Sequence, residues 1–334
     1  MFFRRSFAII LMFSGVSASG LPIVLNAGAG LAGNAPALAA FQRAANTWGS
    51  MFSDNFTVNI DADMAVLGNP SIIGQASSLI LGASYDTIRN AVVNDAANEP
   101  SNGIVASLPT AAQFNATLPA GFALDGRLQM TQANANALGF NVNFGADGNI
   151  TFNSTFAFDY DNSNGVGGGL IDFETVALHE IGHVLGFYSE VDYIDFLMAN
   201  NSTDNVIPTT LDLFRFVAGL APVNAAEFTA NARNYVPGAA AVFSDTVNTW
   251  AFSTGFYTGD GRQASHWKDD SLTGSLIGVM DPTLSTGFIS LATAADRRAF
   301  DLIGYDLNEI PEPSAFVLVG AGLATLAFLR KRRS

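Results

Sequence analysis

The stretch that decides the fold is Asp172-Phe173-Glu174-Thr175-Val176-Ala177-Leu178-His179-Glu180-Ile181-Gly182-His183-Val184-Leu185-Gly186-Phe187. Val176, Ala177, Leu178 and Leu185 favour a buried helix, with Asp172 placed to cap its first turn and Gly186 to end it. His179 and His183 are four residues apart on that helix. They project from one face about a turn from each other, close enough to grip a single cation. Glu180 stands beside them as a carboxylate that is not itself a ligand.

This is the HExxH arrangement of zinc hydrolases. In a chain with only three histidines, chance would produce it with a probability on the order of a few in ten thousand. A catalytic zinc needs a third protein ligand and keeps a fourth position for water. In the short pattern of the metzincins that ligand is a histidine six residues after the second, and here the position holds Ser189. The remaining histidine is His266, in Ala264-Ser265-His266-Trp267-Lys268, and it is the expected third ligand. Glu190, Asp192, Asp195 and Asp212 stay open as carboxylate alternatives.

His179-Glu180-Ile181-Gly182-His183-Val184-Leu185-Gly186-Phe187, followed far downstream by His266-Trp267, resembles the leishmanolysin-like branch of the metzincins. Members carry HExxHxxGF, a long insertion after the glycine, and then the third histidine, often before Trp. The resemblance implies a metzincin-like domain with a twisted sheet and a central HExxH helix. It also implies a methionine turn beneath the metal, which falls on Met280 in Gly278-Val279-Met280-Asp281-Pro282. The chain has no cysteine, whereas leishmanolysins are rich in disulfides, so the resemblance covers the active-site plan. The expected chemistry is peptide hydrolysis by a metal-activated water, with zinc as cofactor, Glu180 as general base and a protein or peptide as substrate. The competing expectation is a surface or exopolysaccharide-matrix protein that keeps the fold with a structural metal. Hydrolysis of a non-protein amide is a third.

Working outward, Asn34 and Pro36 open a helix with Leu38, Phe41, Ala45 and Trp48 on one face. Phe56, Val58 and Ile60 alternate as a strand does, and so do Ile150, Phe152, Ser154 and Phe156. Helices are expected over 85–97, with Tyr85, Ile88 and Val92 inward, and over 292–305, with Ala295, Ala299 and Leu302 on one side. The fold class is therefore α+β. Asp159, Asp161, Asn162 and Asn164 lie in a Gly-rich loop whose oxygens can hold calcium. Leu170 occupies the place of the final EF-hand glutamate, so a plain turn is the preferred reading of that loop.

The ends carry sorting signals. Arg4 and Arg5, the apolar run 7–13 and the small residues Val16, Ser17 and Ala18 read as a signal peptide over 1–18. Ala27 is a second possible cut, and Arg4, Arg5 and Phe7 also stand at twin-arginine spacing. Residues 19–310 read as one metalloprotease domain. At the other end Pro311-Glu312-Pro313 precedes an apolar segment over 315–329 and then Arg330, Lys331, Arg332 and Arg333. As a helix that segment would measure about 22 Å against a hydrocarbon core of about 30 Å, a short span that snorkelling cations make workable. The order of parts over 311–334 resembles the PEP-CTERM sorting signal of Gram-negative bacteria. That resemblance implies an exosortase-type processing enzyme as partner, transient membrane anchoring, and delivery to the cell envelope or extracellular matrix.

Composition narrows the rest. The 334 residues are 49% hydrophobic and 13% charged, with a net charge of −14. Without cysteine there is no disulfide scaffold, thiol chemistry or thiolate-held zinc. Without 1–18 and 314–334 the chain keeps 9 basic and 29 acidic residues, a charge of −20. Such a surface repels phosphates, so no nucleic-acid partner is expected.

Overall fold

The computed structural model describes residues 20–308; the segment 1–18 expected to be a signal peptide and the C-terminal sorting segment lie outside the described residues. The fold is mixed α+β with several sheets. A four-stranded sheet is built from β1 (Ile23–Ala27), β2 (Val58–Ala65), β3 (Gly74–Ser78) and β4 (Gly148–Asn153), in the order β1-β2-β4-β3. β1, β2 and β4 run parallel, and β3 joins β4 antiparallel as the edge strand. A cut at Ala27 would remove β1 and with it the buried Leu21 and Ile23.

Of the next three helices, the first and the third pack on this sheet. α1 (Ala35–Met51) is capped by the Asn34 side chain, which accepts from Ala37 N at 3.2 Å, and buries Phe41, Ala45 and Trp48 as the periodicity predicts. α2 (Tyr85–Asp95) turns Tyr85, Ile88 and Val92 inward at the periphery. α3 (Phe173–Leu185) carries the decisive stretch. Asp172 Oδ2 accepts from Thr175 N at 3.0 Å at its start, and Gly186 ends it at φ +121°, a backbone conformation that suits glycine. α1 and α3 are joined by the Trp48 indole, whose Nε1–H donates to Leu178 O at 2.8 Å, and by Arg43, which bonds Glu174 at 2.7 Å.

Beyond α3 the chain makes α4 (Val191–Ala199) and enters the long excursion to His266. The excursion contributes β5 (Arg215–Val217), β6 (Ala241–Ser244) and β7 (Thr249–Phe252) to a second, five-stranded sheet, completed by short strands at Arg233–Asn234 and Ala116–Thr117. It holds two buried arginines by backbone carbonyls and aromatic faces. Arg233 donates to Leu213 O and Phe228 O, with its guanidinium 4.5 Å from the Phe216 ring centroid. Arg215 lies 4.8 Å from that of Phe252. α5 (Ala294–Leu302) closes the fold, with Ala295, Ala299 and Leu302 buried.

Several expectations need adjustment. Phe56 precedes β2, and Ser154 and Phe156 follow β4, because β4 ends where Asn153 turns to bond Ile72 O and Thr155. The helix expected over 85–97 gives way after Asp95 to a 3-10 turn.

Candidate metal centre

The structure brings all three histidines of the chain together. Their Nε2 atoms form a nearly equilateral triangle: 3.1 Å from His179 to His183, 3.1 Å from His179 to His266 and 3.2 Å from His183 to His266. The His183 ring stands steeply to the other two, at 81° and 86°, while those of His179 and His266 are nearly parallel.

The far side of each ring is tied to a backbone carbonyl: His179 Nδ1 to Val279 O at 2.9 Å, His183 Nδ1 to Phe187 O at 2.7 Å, and His266 Nδ1 to Gln263 O at 3.1 Å. A carbonyl only accepts, so each Nδ1 carries the proton. That leaves three Nε2 lone pairs converging on one point with no proton among them. Burial lowers all three pKa values, His179 to about 4, His183 to about 3 and His266 well below the ordinary range, with neighbouring imidazoles adding to the effect on the last two. The rings are neutral at pH 7, the form in which imidazole binds metals.

A tetrahedral zinc with bonds of about 2.0–2.1 Å spaces its ligand nitrogens about 3.3–3.4 Å apart. The triangle is within a few tenths of an ångström of that, and the outer carbonyls are the partners that orient ligand histidines. These three side chains can therefore hold such an ion. The four carboxylates left open by the sequence are engaged elsewhere. Asp212 accepts from Ser189 Oγ and Glu190 N; Glu190 from Gln129 Nε2; Asp192 from Ala264 N and Ser265 N; Asp195 from Tyr257 N and Thr258 N.

Glu180 is 5% exposed, and burial pushes its carboxyl up to about 8. It lies against the edge strand: a Cβ on Gly74 of β3 would come 2.8 Å from Glu180 Oε1. Met280 is fully buried in the turn 278–281, its Sδ 2.3 Å from where a Cβ on Gly182 would stand. Gly182 thus gives the methionine room to sit against the histidine-bearing helix.

One residue in the framework of this cluster escapes sequence reading. Asp296 of α5, fully buried, accepts from Trp267 Nε1 at 2.8 Å, Val279 N at 2.9 Å and Met280 N at 3.3 Å. It links Trp267, next to His266, to Val279, whose own carbonyl fixes His179. Thr293-Ala294-Ala295-Asp296 is legible as a capping box, and that box forms. Nothing in the sequence shows that the same carboxylate also reaches across to an indole.

The Gly-rich loop uses its acids on itself. Asp159 accepts from Asp161 N at 3.0 Å and Gly167 N at 2.8 Å, and Asp161 from Ser163 N at 3.2 Å. Two surface hollows, one lined by Asn94, Asp95 and Phe140 and another by Asp61 and Asp63, lie apart from the three histidines.

At its C-terminus the chain is similar to a known sorting motif. Residues 309–333 match the PEP-CTERM protein-sorting motif, a signal for export and C-terminal sorting of the kind an exosortase recognises. No curated protein and no solved structure matches the chain. Among the described residues no helix is long and apolar enough to cross a membrane; the segment 315–329 lies outside them.

Proposed function

We propose that the exported chain is a zinc-dependent metalloendopeptidase of metzincin type, with His179, His183 and His266 as ligands, Glu180 as general base and Met280 as the turn beneath the metal. The observation that carries this reading is the meeting of three Nε2 lone pairs at 3.1–3.2 Å with every Nδ1 proton turned outward. Three unprotonated nitrogens facing one another repel unless a cation stands between them. A zinc ion so held supplies a water acidified to a pKa of about 7 and a polarised carbonyl.

The rest falls to the chain's own groups. Glu180 makes no hydrogen bond to a described residue, so its oxygens are free to take the proton of the attacking water and return it to the leaving amine. A nearby cation favours the ionised carboxylate that this requires. The edge of β3 offers unpaired backbone groups beside Glu180, and an extended peptide can add to such an edge as a further strand. That supports a peptide substrate over other amides. A purely structural metal would be closed by a fourth protein donor; among the described residues only the three histidines form this group. The three-histidine set, the methionine turn and the sheet flanked by α3 are the features that support a metzincin arrangement.

The test is metal analysis with casein hydrolysis for the secreted chain beside Glu180→Ala. Wild type should carry one zinc and cleave casein. Glu180→Ala should keep the zinc and lose about 10²- to 10⁴-fold in rate. Equal proteolysis by the variant refutes the role of Glu180, and a metal with four protein donors and no water supports the structural alternative.

A further inference from the structure

We infer that Asp192 is a positioning residue for the third imidazole, and that the turn which bears a ligand in the short metzincin pattern serves here to anchor the distant segment that supplies it. This rests on the zinc reading above. His266 follows His183 by 83 residues, so its place depends on how its own segment is held.

Asp192 lies in the first turn of α4, six residues beyond Gly186. Its carboxylate takes three donors from the two residues before His266: Ala264 N at 2.5 Å, Ser265 N at 3.0 Å and the Ser265 hydroxyl. Because that hydroxyl gives its proton to Asp192, its oxygen is left to accept, and it accepts from Ser189 N at 2.9 Å. Ser189 occupies the position of the short pattern's third histidine. Its hydroxyl in turn donates to Asp212 Oδ1 at 2.7 Å. On the other side Arg215 donates to Ala264 O at 3.3 Å and Ser253 O at 2.8 Å, and Ser253 N bonds His266 O at 3.0 Å. Among the described residues Asp192 is thus the one side chain that ties the helix following the HExxH stretch to both residues preceding His266. Carboxylate–N–H bonds are among the strong ones, and they set the distance between the imidazole pair on α3 and the third ring.

One turn further along α4, Asp195 makes the same kind of clasp on another segment. It accepts from Tyr257 N at 2.7 Å, Thr258 N at 2.9 Å and Thr258 Oγ1 at 2.5 Å. The two carboxylates form a matched pair, alike in helix and donor count and different in what they hold.

The experiment measures zinc affinity by chelator competition, and the visible spectrum of the cobalt-substituted protein, for the full exported chain and for Asp192→Asn, Asp195→Asn and Ser265→Ala. Asp192→Asn should weaken zinc by about 10- to 100-fold and alter the cobalt spectrum, since its amide turns donors toward donors. Ser265→Ala, a milder change, should weaken zinc in the same direction. Asp195→Asn should lower the melting temperature while zinc affinity and spectrum stay as in wild type. If Asp192→Asn and Asp195→Asn change affinity equally, or Ser265→Ala leaves it unchanged, the positioning role is refuted. A wild-type chain that takes up no zinc in the same titration overturns the zinc reading itself, and this inference with it.

Discussion

Replacing Gly182 by Ala tests whether Met280 is wedged against the histidine helix. The new methyl would stand 2.3 Å from Met280 Sδ, 3.1 Å from its Cε and 3.7 Å from Trp48 Cζ2. Carbon contacts are comfortable at about 3.5 Å and beyond, so the sulfur must retreat by roughly 1.2 Å inside a fully buried pocket. Overpacking of this kind costs about 1–3 kcal/mol. Alanine returns about 0.8–1 kcal/mol through its better helix propensity. The net loss of stability is then about 0–2 kcal/mol, a fall in Tm of at most roughly 8 °C.

The larger effect should be on the metal. Met280 O accepts from Trp267 N at 3.0 Å, next to His266, and Val279 O fixes the His179 ring. Displacing the turn therefore moves two of the three nitrogens, and zinc affinity should fall by about tenfold or more. Chelator competition and thermal melting give the two readouts. In the double variant Gly182→Ala/Met280→Leu the shorter side chain should restore part of the affinity, with a coupling of at least about 0.5 kcal/mol. Wild-type affinity with a raised Tm in Gly182→Ala alone would refute the reasoning, because it would mean that nothing rests on residue 182.

Two further outcomes are expected. Gly74→Ala should lower kcat by about tenfold to a hundredfold at unchanged zinc content, since its Cβ would meet Glu180 Oε1 at 2.8 Å and Val176 Cγ1 at 3.0 Å and small misplacements of reacting groups are costly; an unchanged kcat would separate Glu180 from the rate-limiting chemistry. Stability should depend on pH through an acidic cluster near α2, where burial and then neighbouring acids push Asp54 and Glu99 up to about 7 and Asp95 up to about 8. The folded chain there holds protons that the unfolded chain has released, so stability falls as pH rises through these values. The histidines act in the opposite sense, but only below their unfolded pKa of about 6.5. For the zinc-free protein Tm should therefore be higher at pH 6.5 than at pH 8.0, and Asp95→Asn should flatten the dependence; a Tm that rises over this interval contradicts it.

The parts of the molecule that were legible in the sequence are those set by short-range chemistry. The cap at Asp172, the stop at Gly186 and the shared face of His179 and His183 all follow from positions within one helix. Trp48 and Phe41 declared themselves by helical spacing. His266 could be named by its rarity and its Trp neighbour, but not placed. Its position arises from Asp192, Ser265, Arg215 and Ser253, whose partners lie up to 76 residues away. β1 was hard to read because its apolar residues follow the apolar run 7–13 of the expected signal peptide. The short strands of the excursion, two of them only two residues long, carry too little alternation to register.

The separation of His266 from the helical pair also has a kinetic meaning. Joining two points about 83 residues apart costs an unstructured chain about 4 kcal/mol in closure entropy, before any ligand bond forms. Two imidazoles on a nascent helix cannot meet that cost; the intervening sheet must form first and bring the third with it. On the proposed zinc reading, metal competence would then come late in folding. If the chain crosses the membrane unfolded and the proposed centre is catalytic, it would stay inert until its last module had docked, the order of assembly serving as the safeguard that a prosegment provides elsewhere.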